Sequence, residues 1–311
     1  MSKAIRDAYG EALLRYGRDN ERVVVLDADV SGSVKSSIFA KEIPERSFNV
    51  GIAEANMTAM AAGFASCGMI PFVNTFSVFL TSNGLTPARA YGSYSRLPIK
   101  LVGAFGGLSD AFDGPSHHAL EDLAVMRTLP NFQVYVASDV KQTEWLVKNA
   151  IEDPAPMYLR MSRGAFPDLY GEDETFETGK GKIVCQGMDA TVIACGLMVG
   201  SALQAAEILK NEGVYLRVVD MFCIKPLDHA LIRQCAAETG AIITAEEHSI
   251  LGGLGSAVCE SLCQQGCHVP VEMVGIQDTH TECGPYDQLQ MLYGLDAESI
   301  AQKVRTAIAR K

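Results

Sequence analysis

Short apolar runs separated by helix-length amphipathic stretches recur along this chain, and that rhythm narrows the possible folds more than any single motif does. In the first half the runs are Val23-Val24-Val25-Leu26-Asp27, Ile70-Pro71-Phe72-Val73, Ile99-Lys100-Leu101-Val102-Gly103, Gln133-Val134-Tyr135-Val136 and Met157-Tyr158-Leu159-Arg160. Helical patterns fall around them at about 6–16, 53–67, 77–94, 118–128 and 143–151. Runs this short, apolar on both faces and spaced by helices predict a parallel or mostly parallel sheet with helices on each side. Ligands of such sheets bind beyond the carboxyl ends of the strands.

The rhythm breaks once. Pro167-Asp168-Leu169-Tyr170-Gly171-Glu172-Asp173-Glu174-Thr175 is acidic, rich in turn formers and without hydrophobic period, so 167–181 reads as a linker. The pattern resumes at about Lys182, with Ala190-Thr191-Val192-Ile193-Ala194-Cys195, Tyr215-Leu216-Arg217-Val218-Val219, Ala241-Ile242-Ile243-Thr244-Ala245 and Val271-Glu272-Met273-Val274. Helices are expected near 201–211, 230–238, 255–264 and 297–309. The fold class is therefore α/β with two doubly wound domains, residues 1–166 and a smaller one at 182–311; 311 residues suffice for a core in each.

Composition excludes several functions. A net charge of -11 with no Lys/Arg cluster argues against a phosphate-backbone partner, so no nucleic acid is expected. The N-terminal Met1-Ser2-Lys3-Ala4-Ile5-Arg6-Asp7 lacks the apolar core of a signal peptide, and the apolar window 57–76 is broken by Gly68, Pro71 and Asn74. No membrane association and a cytoplasmic location are the expectation. Nine scattered cysteines, an odd number, suit reduced thiols. Cys259, Cys263 and Cys267 before His268 do not have the spacing of a zinc knuckle, and no metal site is expected on this chain. Gly252-Gly253-Leu254-Gly255-Ser256 does not directly follow a strand and has no acidic ribose partner; it reads as the tight start of a helix rather than a nucleotide loop. Glu246, Glu247 and His248 before it read either as residues facing a domain interface or as a hydrogen-bonded cluster.

The candidate site lies in the first half. Glu54 opens the small-residue helix pattern, next to Gly51-Ile52-Ala53. Taken alone it is a favourable partner of the helix dipole. Phe76 and Phe79 stand three apart at a strand end in Asn74-Thr75-Phe76-Ser77-Val78-Phe79-Leu80, where aromatics serve either a core or a ring-binding platform. Asp113-Gly114-Pro115-Ser116-His117-His118 is a polar turn before a helix that ends in Arg127-Thr128-Leu129-Pro130-Asn131. One acid, two aromatics and a histidine pair, all placed at strand ends, read together as a site.

In this order and spacing, these motifs together with Ser162-Arg163 resemble the C-terminal half of the transketolase family, in the form where that enzyme is divided into two polypeptides. The resemblance covers essentially the whole chain. It implies a pyrimidine-binding thiamine diphosphate domain followed by a smaller transketolase C-terminal domain, and transfer of a two-carbon ketol unit from a ketose to an aldose, free or phosphorylated. By the match Glu54 is the acid on the aminopyrimidine ring, with Phe76 and Phe79 lining the pocket and Asp29 in a loop that reaches the thiazolium. Asp113 and His117 match residues that contact the sugar near its reacting hydroxyls, Ser33 lies along the substrate channel, and Arg163 matches the guanidinium that grips the terminal phosphate.

Two departures bear on the substrate. Phe105 stands where full-length transketolases carry a phosphate-binding histidine, and the upstream arginine of that clamp finds no clear match near residues 1–6. These losses point to a different or less phosphorylated sugar. The Gly-Asp-Gly segment that holds diphosphate and metal in the family does not occur in this sequence. The resemblance therefore implies a separate N-terminal subunit that supplies the Mg2+ or Ca2+ site, in a complex of two copies of each chain (α2β2). The β subunit of a 2-oxo acid dehydrogenase decarboxylase, a deoxyxylulose phosphate synthase and a non-catalytic scaffold subunit are the alternatives. Asp113-Gly114-Pro115-Ser116-His117-His118 stands against the first, and the joint retention of Glu54, Phe76, Phe79 and His117 stands against the last.

Overall fold

In the computed structural model, which describes residues 3–165 and 167–311, two sheets organise the chain. The first is built from β1 (Val23–Asp27), β2 (Ser47–Asn49), β3 (Ile70–Phe76), β4 (Lys100–Ala104), β5 (Gln133–Val136) and β6 (Met157–Arg160). The second holds β7 (Lys182–Cys185), β8 (Ala190–Ala194), β9 (Leu216–Asp220), β11 (Ile242–Ser249) and β12 (Val271–Ile276). The remaining strand, β10 (Cys223–Lys225), follows β9 but pairs antiparallel with β5, so the first sheet runs β10-β5-β6-β4-β3-β1-β2. The second runs β12-β11-β8-β9-β7, parallel except for β7.

Both faces of the first sheet are dry. Val24 and Leu26 of β1 join one apolar cluster with Val73 and Leu101, while Val23 and Val25 join another with Phe72 and Val102. Side chains alternate across a strand, so this split accounts for the unbroken apolar runs in the sequence. Strand order reverses around β1, whose neighbours are β2 and β3, and the crevice at that reversal opens at the carboxyl ends.

Helix boundaries mostly follow the amphipathic pattern, with two corrections. The single helix expected over 77–94 is broken into Ser77–Ser82, Leu85–Pro87 and a π-helical stretch Ala88–Tyr94. Gly84 sits at the first break, where a Cβ would stand 2.6 Å from the Leu80 carbonyl oxygen, so the packing there requires glycine. The helix expected from 118 starts at Asp122, after a 3-10 turn at Gly114–Ser116. Residues 167–181, read as a linker, are pinned to the body of the protein. The Asp139 carboxylate accepts hydrogen bonds from the Leu169 and Tyr170 amides, each at 3.0 Å. Phe176 packs against Trp145, Phe222 and Tyr170 with ring centroids 4.9 to 5.7 Å apart. Among the described residues no helix is long and apolar enough to cross a membrane.

Candidate functional site

Parallel register brings together residues far apart in sequence. Phe76 ends β3 opposite Ala104 of β4, so Phe105 emerges beside it. Their rings stack with centroids 4.7 Å apart, and Phe79, in the first turn of the Ser77–Ser82 helix, lies 6.1 Å from Phe76. His117 meets the edge of Phe79 at 5.2 Å and sits 6.1 Å from Phe76. Three phenyl rings and an imidazole thus form one wall, in which Phe76, Phe79 and His117 are half-buried. The sequence placed Phe105 among the departures; the structure makes it the ring behind Phe76, with a left-handed φ of 59°.

Glu54 is the first residue of the Glu54–Ser66 helix and is 4% exposed. Its Oε2 accepts a hydrogen bond from Asn83 Nδ2 at 3.1 Å, its one side-chain partner among the described residues. Asn83 follows the Ser77–Ser82 helix, and its amide donates to the Phe79 carbonyl at 2.9 Å. The acid and the aromatic wall are therefore tied through one short helix. Sequence reasoning missed Asn83, although it lies one helical turn after Phe79.

Asp29 lies beyond the carboxyl end of β1 with φ at 66°. Asn49, at the end of the adjacent β2, clamps it: Asn49 Nδ2 donates to Asp29 Oδ1 at 2.9 Å, and the Asp29 amide donates to Asn49 Oδ1 at 3.1 Å. Beneath it the buried Asp27 accepts from the Val30 amide and the Ser36 hydroxyl, both at 2.7 Å. Burial pushes the Asp27 carboxyl above the usual range, against the pull of those bonds. Ser33 is exposed, and its carbonyl accepts from Arg6 Nη1 at 3.2 Å.

Arg163 and Asp113 flank a cavity of about 420 Å³ that Ser109, Phe112, Ser162 and Tyr286 also line. Arg163 pairs with Asp110, a residue the sequence reading did not single out; Asp110 is 1% exposed. Burial and the nearby Asp113 charge raise the Asp110 carboxyl, and Arg163 pulls it down. The Arg163 guanidinium also sits 5.1 Å from the Phe105 ring centroid, with that of Arg6 at 5.7 Å. Arg6 thus supplies a cation near the channel where the sequence showed no match for the upstream arginine.

Other motif residues hold the two sheets together and stand back from the aromatic wall. Arg127 donates to the Gly252 and Gly253 carbonyls and pairs with Glu260 at 2.7 Å. His118 Nδ1 meets Thr281 Oγ1 at 2.6 Å, and burial lowers its imidazole below the ordinary value. The glycine turn is a helix start, as the sequence suggested. The Glu246 carboxylate takes the Leu254 and Gly255 amides at 2.7 Å each, which fills with the chain's own acid the anion position a nucleotide phosphate would need. Glu247 is buried at the seam between the sheets, where its Oε1 accepts the Leu108 amide at 2.9 Å.

Comparison with known proteins identifies both domains. The family model for the transketolase pyrimidine binding domain matches residues 1–168, and that for the transketolase C-terminal domain matches residues 179–300. The 6-deoxy-6-sulfo-D-fructose transketolase subunit SqwH of a Clostridium species is 35% identical over 99% of this chain and 95% of its own length. An apulose-4-phosphate transketolase subunit of Phocaeicola vulgatus is 38% identical over 96% of each chain. A solved structure described as a split gene transketolase, inactive beta4 tetramer, superposes with a TM-score of 0.90 at 44% identity, covering 98% of both chains. Matched along almost its whole length by these domains and subunits, the chain belongs to the transketolase family and corresponds to its C-terminal section.

Proposed function

We propose that this chain is the C-terminal subunit of a split transketolase, a transferase that moves a two-carbon ketol unit from a ketose donor to an aldose acceptor, either of them free or phosphorylated. The observation that carries the reading is Glu54, buried at a helix start with Oε1 clear of side-chain partners among the described residues and tied through Asn83 to a half-open aromatic wall. A buried carboxyl tied to half-buried aromatic rings suits the aminopyrimidine of thiamine diphosphate, the cofactor that membership of this family implies. When bound, that cofactor supplies the nucleophilic carbon that carries the two-carbon unit.

The chain's residues then take the following roles. Glu54 shares a proton with the pyrimidine ring nitrogen in a site of low dielectric, where a charge-assisted hydrogen bond is strong. Phe76 and Phe79 orient the ring. Asp29, clamped by Asn49, faces the thiazolium side. His117 and Asp113 bind the sugar hydroxyls, with His117 handling the proton of the reacting one, while Ser33 and Arg163 lie along the substrate channel.

The metal, Mg2+ or Ca2+, and the diphosphate are held by an N-terminal subunit in an α2β2 complex, because the sequence contains no Gly-Asp-Gly segment. In support, the solved relative that contains only β chains is described as inactive. Calorimetry tests the reading: alone, the chain should show negligible affinity for thiamine diphosphate, and with the partner it should bind the cofactor and catalyse ketol transfer. Tight binding by the isolated chain would refute the division of the site.

A further inference from the structure

We infer that Asn83 is a positioning residue of the proton relay: by donating to Glu54 Oε2 it fixes which carboxyl oxygen carries the acidic proton. That proton is left on Oε1, the oxygen free to face a pyrimidine ring. The inference rests on the role assigned to Glu54 above and deepens it.

Asn83 Nδ2 stands 3.1 Å from Glu54 Oε2, and no other side chain among the described residues bonds that carboxyl. A carboxyl has two chemically equivalent oxygens on a terminal torsion that is broad and roughly two-fold, so burial alone does not choose between them. An N–H donor does. In a protonated acid the carbonyl oxygen accepts far better than the hydroxyl oxygen, so the oxygen that takes the Asn83 N–H is the one without the proton. An amide suits the task because it donates without titrating and cannot take the proton for itself.

The backbone holds this donor in place. The Asn83 and Gly84 amides both donate to the Phe79 carbonyl, at 2.9 and 3.3 Å. A Cβ at Gly84 would lie 3.1 Å from Thr58 Oγ1, so the corner packs directly on the Glu54–Ser66 helix, one turn after the acid. Thr58 in turn donates to the Glu54 carbonyl at 2.9 Å. Asn83 thus reaches Glu54 from a fixed corner, while the residue itself is exposed and can be replaced without opening the core.

The test uses the complex with its partner subunit and thiamine diphosphate. Asn83→Ala removes the donor; Asn83→Asp replaces it with a carboxyl that donates only while protonated. A hydrogen bond to a charged group corresponds to roughly ten- to hundredfold, so kcat of Asn83→Ala should fall by about that factor across the pH range. In Asn83→Asp the two neighbouring carboxyls share a proton at the acid end of the range, and the shared proton donates to Oε2 as the amide did. Its kcat relative to wild type should therefore fall about tenfold further between pH 5.5 and pH 8, as that proton leaves. Calorimetry gives a readout independent of turnover. In buffers of different ionisation enthalpy at pH 8, cofactor binding to Asn83→Asp should take up about one proton more than binding to wild type, and Asn83→Ala no more than wild type. A ratio of Asn83→Asp to wild type that stays constant over this range, with equal proton uptake, shows that Asn83 only packs and overturns the inference. Turnover of Asn83→Ala within about twofold of wild type overturns it too, so either variant decides where the other loses its fold. Retained turnover in Glu54→Gln is a different failure: it removes the acid itself from the relay, whereas an inactive Glu54→Gln beside wild-type Asn83 variants sinks the role of Asn83 alone.

Discussion

Glu54 stands at the residue scale as a buried acid whose carboxylate has, among the described residues, a single neutral side-chain partner. Glu54→Gln preserves size, burial and the hydrogen bond from Asn83, so the unfolding midpoint and cofactor affinity should stay near those of the wild type. Ketol transfer by the complex should fall by orders of magnitude, because the amide cannot pass a proton. Turnover within tenfold of wild type would remove Glu54 from the proton relay. Phe76→Ala should act differently: an aromatic contact contributes about 0.5 to 1.5 kcal/mol beyond area burial, so Kd for the cofactor should rise roughly 2- to 13-fold or more with the pH profile of kcat unmoved. A shifted pH profile would show that the ring does more than stack. Glu54, Phe76 and Phe79 were legible in the sequence because each lies inside a local motif at a strand end. Asn83, Asp110 and the stacking of Phe105 were not. Phe105 meets Phe76 only through the register of two parallel strands, and Asp110 meets Arg163 across a gap of 53 positions, which no short-range pattern encodes.

Elements show where period alone decides and where geometry overrides it. The apolar runs of β1, β3, β4, β5 and β6 were readable because both sheet faces are buried. The short β10 was not, since three residues that cross to the other sheet carry no period to detect. The Leu254–Gln264 helix gives a direct test at this scale. Its first amides have no capping residue at Gly253 and rely on Glu246 from the preceding strand. Glu246→Ala leaves two buried N–H groups without acceptors, so the protein should lose about 2 to 4 kcal/mol in urea unfolding, with Glu246→Gln near half of that loss. An unfolding free energy within about 0.5 kcal/mol of wild type would mean that water or another group caps this helix equally well.

For the whole molecule, the seam between the sheets carries ionisable groups with little solvent. Arg160, buried, pairs with Asp122 at 2.7 Å and donates to the Glu247 carbonyl at 2.9 Å. Tyr158 adds a hydrogen bond to the same Asp122 oxygen at 2.7 Å. Glu247 accepts the Leu108 amide, yet burial outweighs that bond and the attraction of Arg160 and pushes its carboxyl up to about 7. A carboxyl raised in the folded state binds more protons there than in the unfolded chain between its ordinary value and about 7. Its stabilising contribution is therefore complete at low pH and is lost as pH rises through that window. Asp220, raised to about 6 by burial against bonds from Tyr170, Gln142 and Ser138, adds a loss of the same sign at lower pH. The Glu247 share can be isolated with Glu247→Gln, whose amide oxygen still accepts from Leu108 but does not titrate. Between pH 5 and 8 the wild type should lose roughly 2 to 3 kcal/mol of unfolding free energy relative to the variant, because each tenfold difference in proton affinity between the folded and unfolded chain corresponds to about 1.4 kcal/mol. Urea curves for both proteins at the two pH values measure that difference, and Asp220 cancels because it is common to both. If the two proteins change in parallel, Glu247 is ionised in the folded protein at pH 5 as it is at pH 8, and Arg160 rather than burial sets its charge.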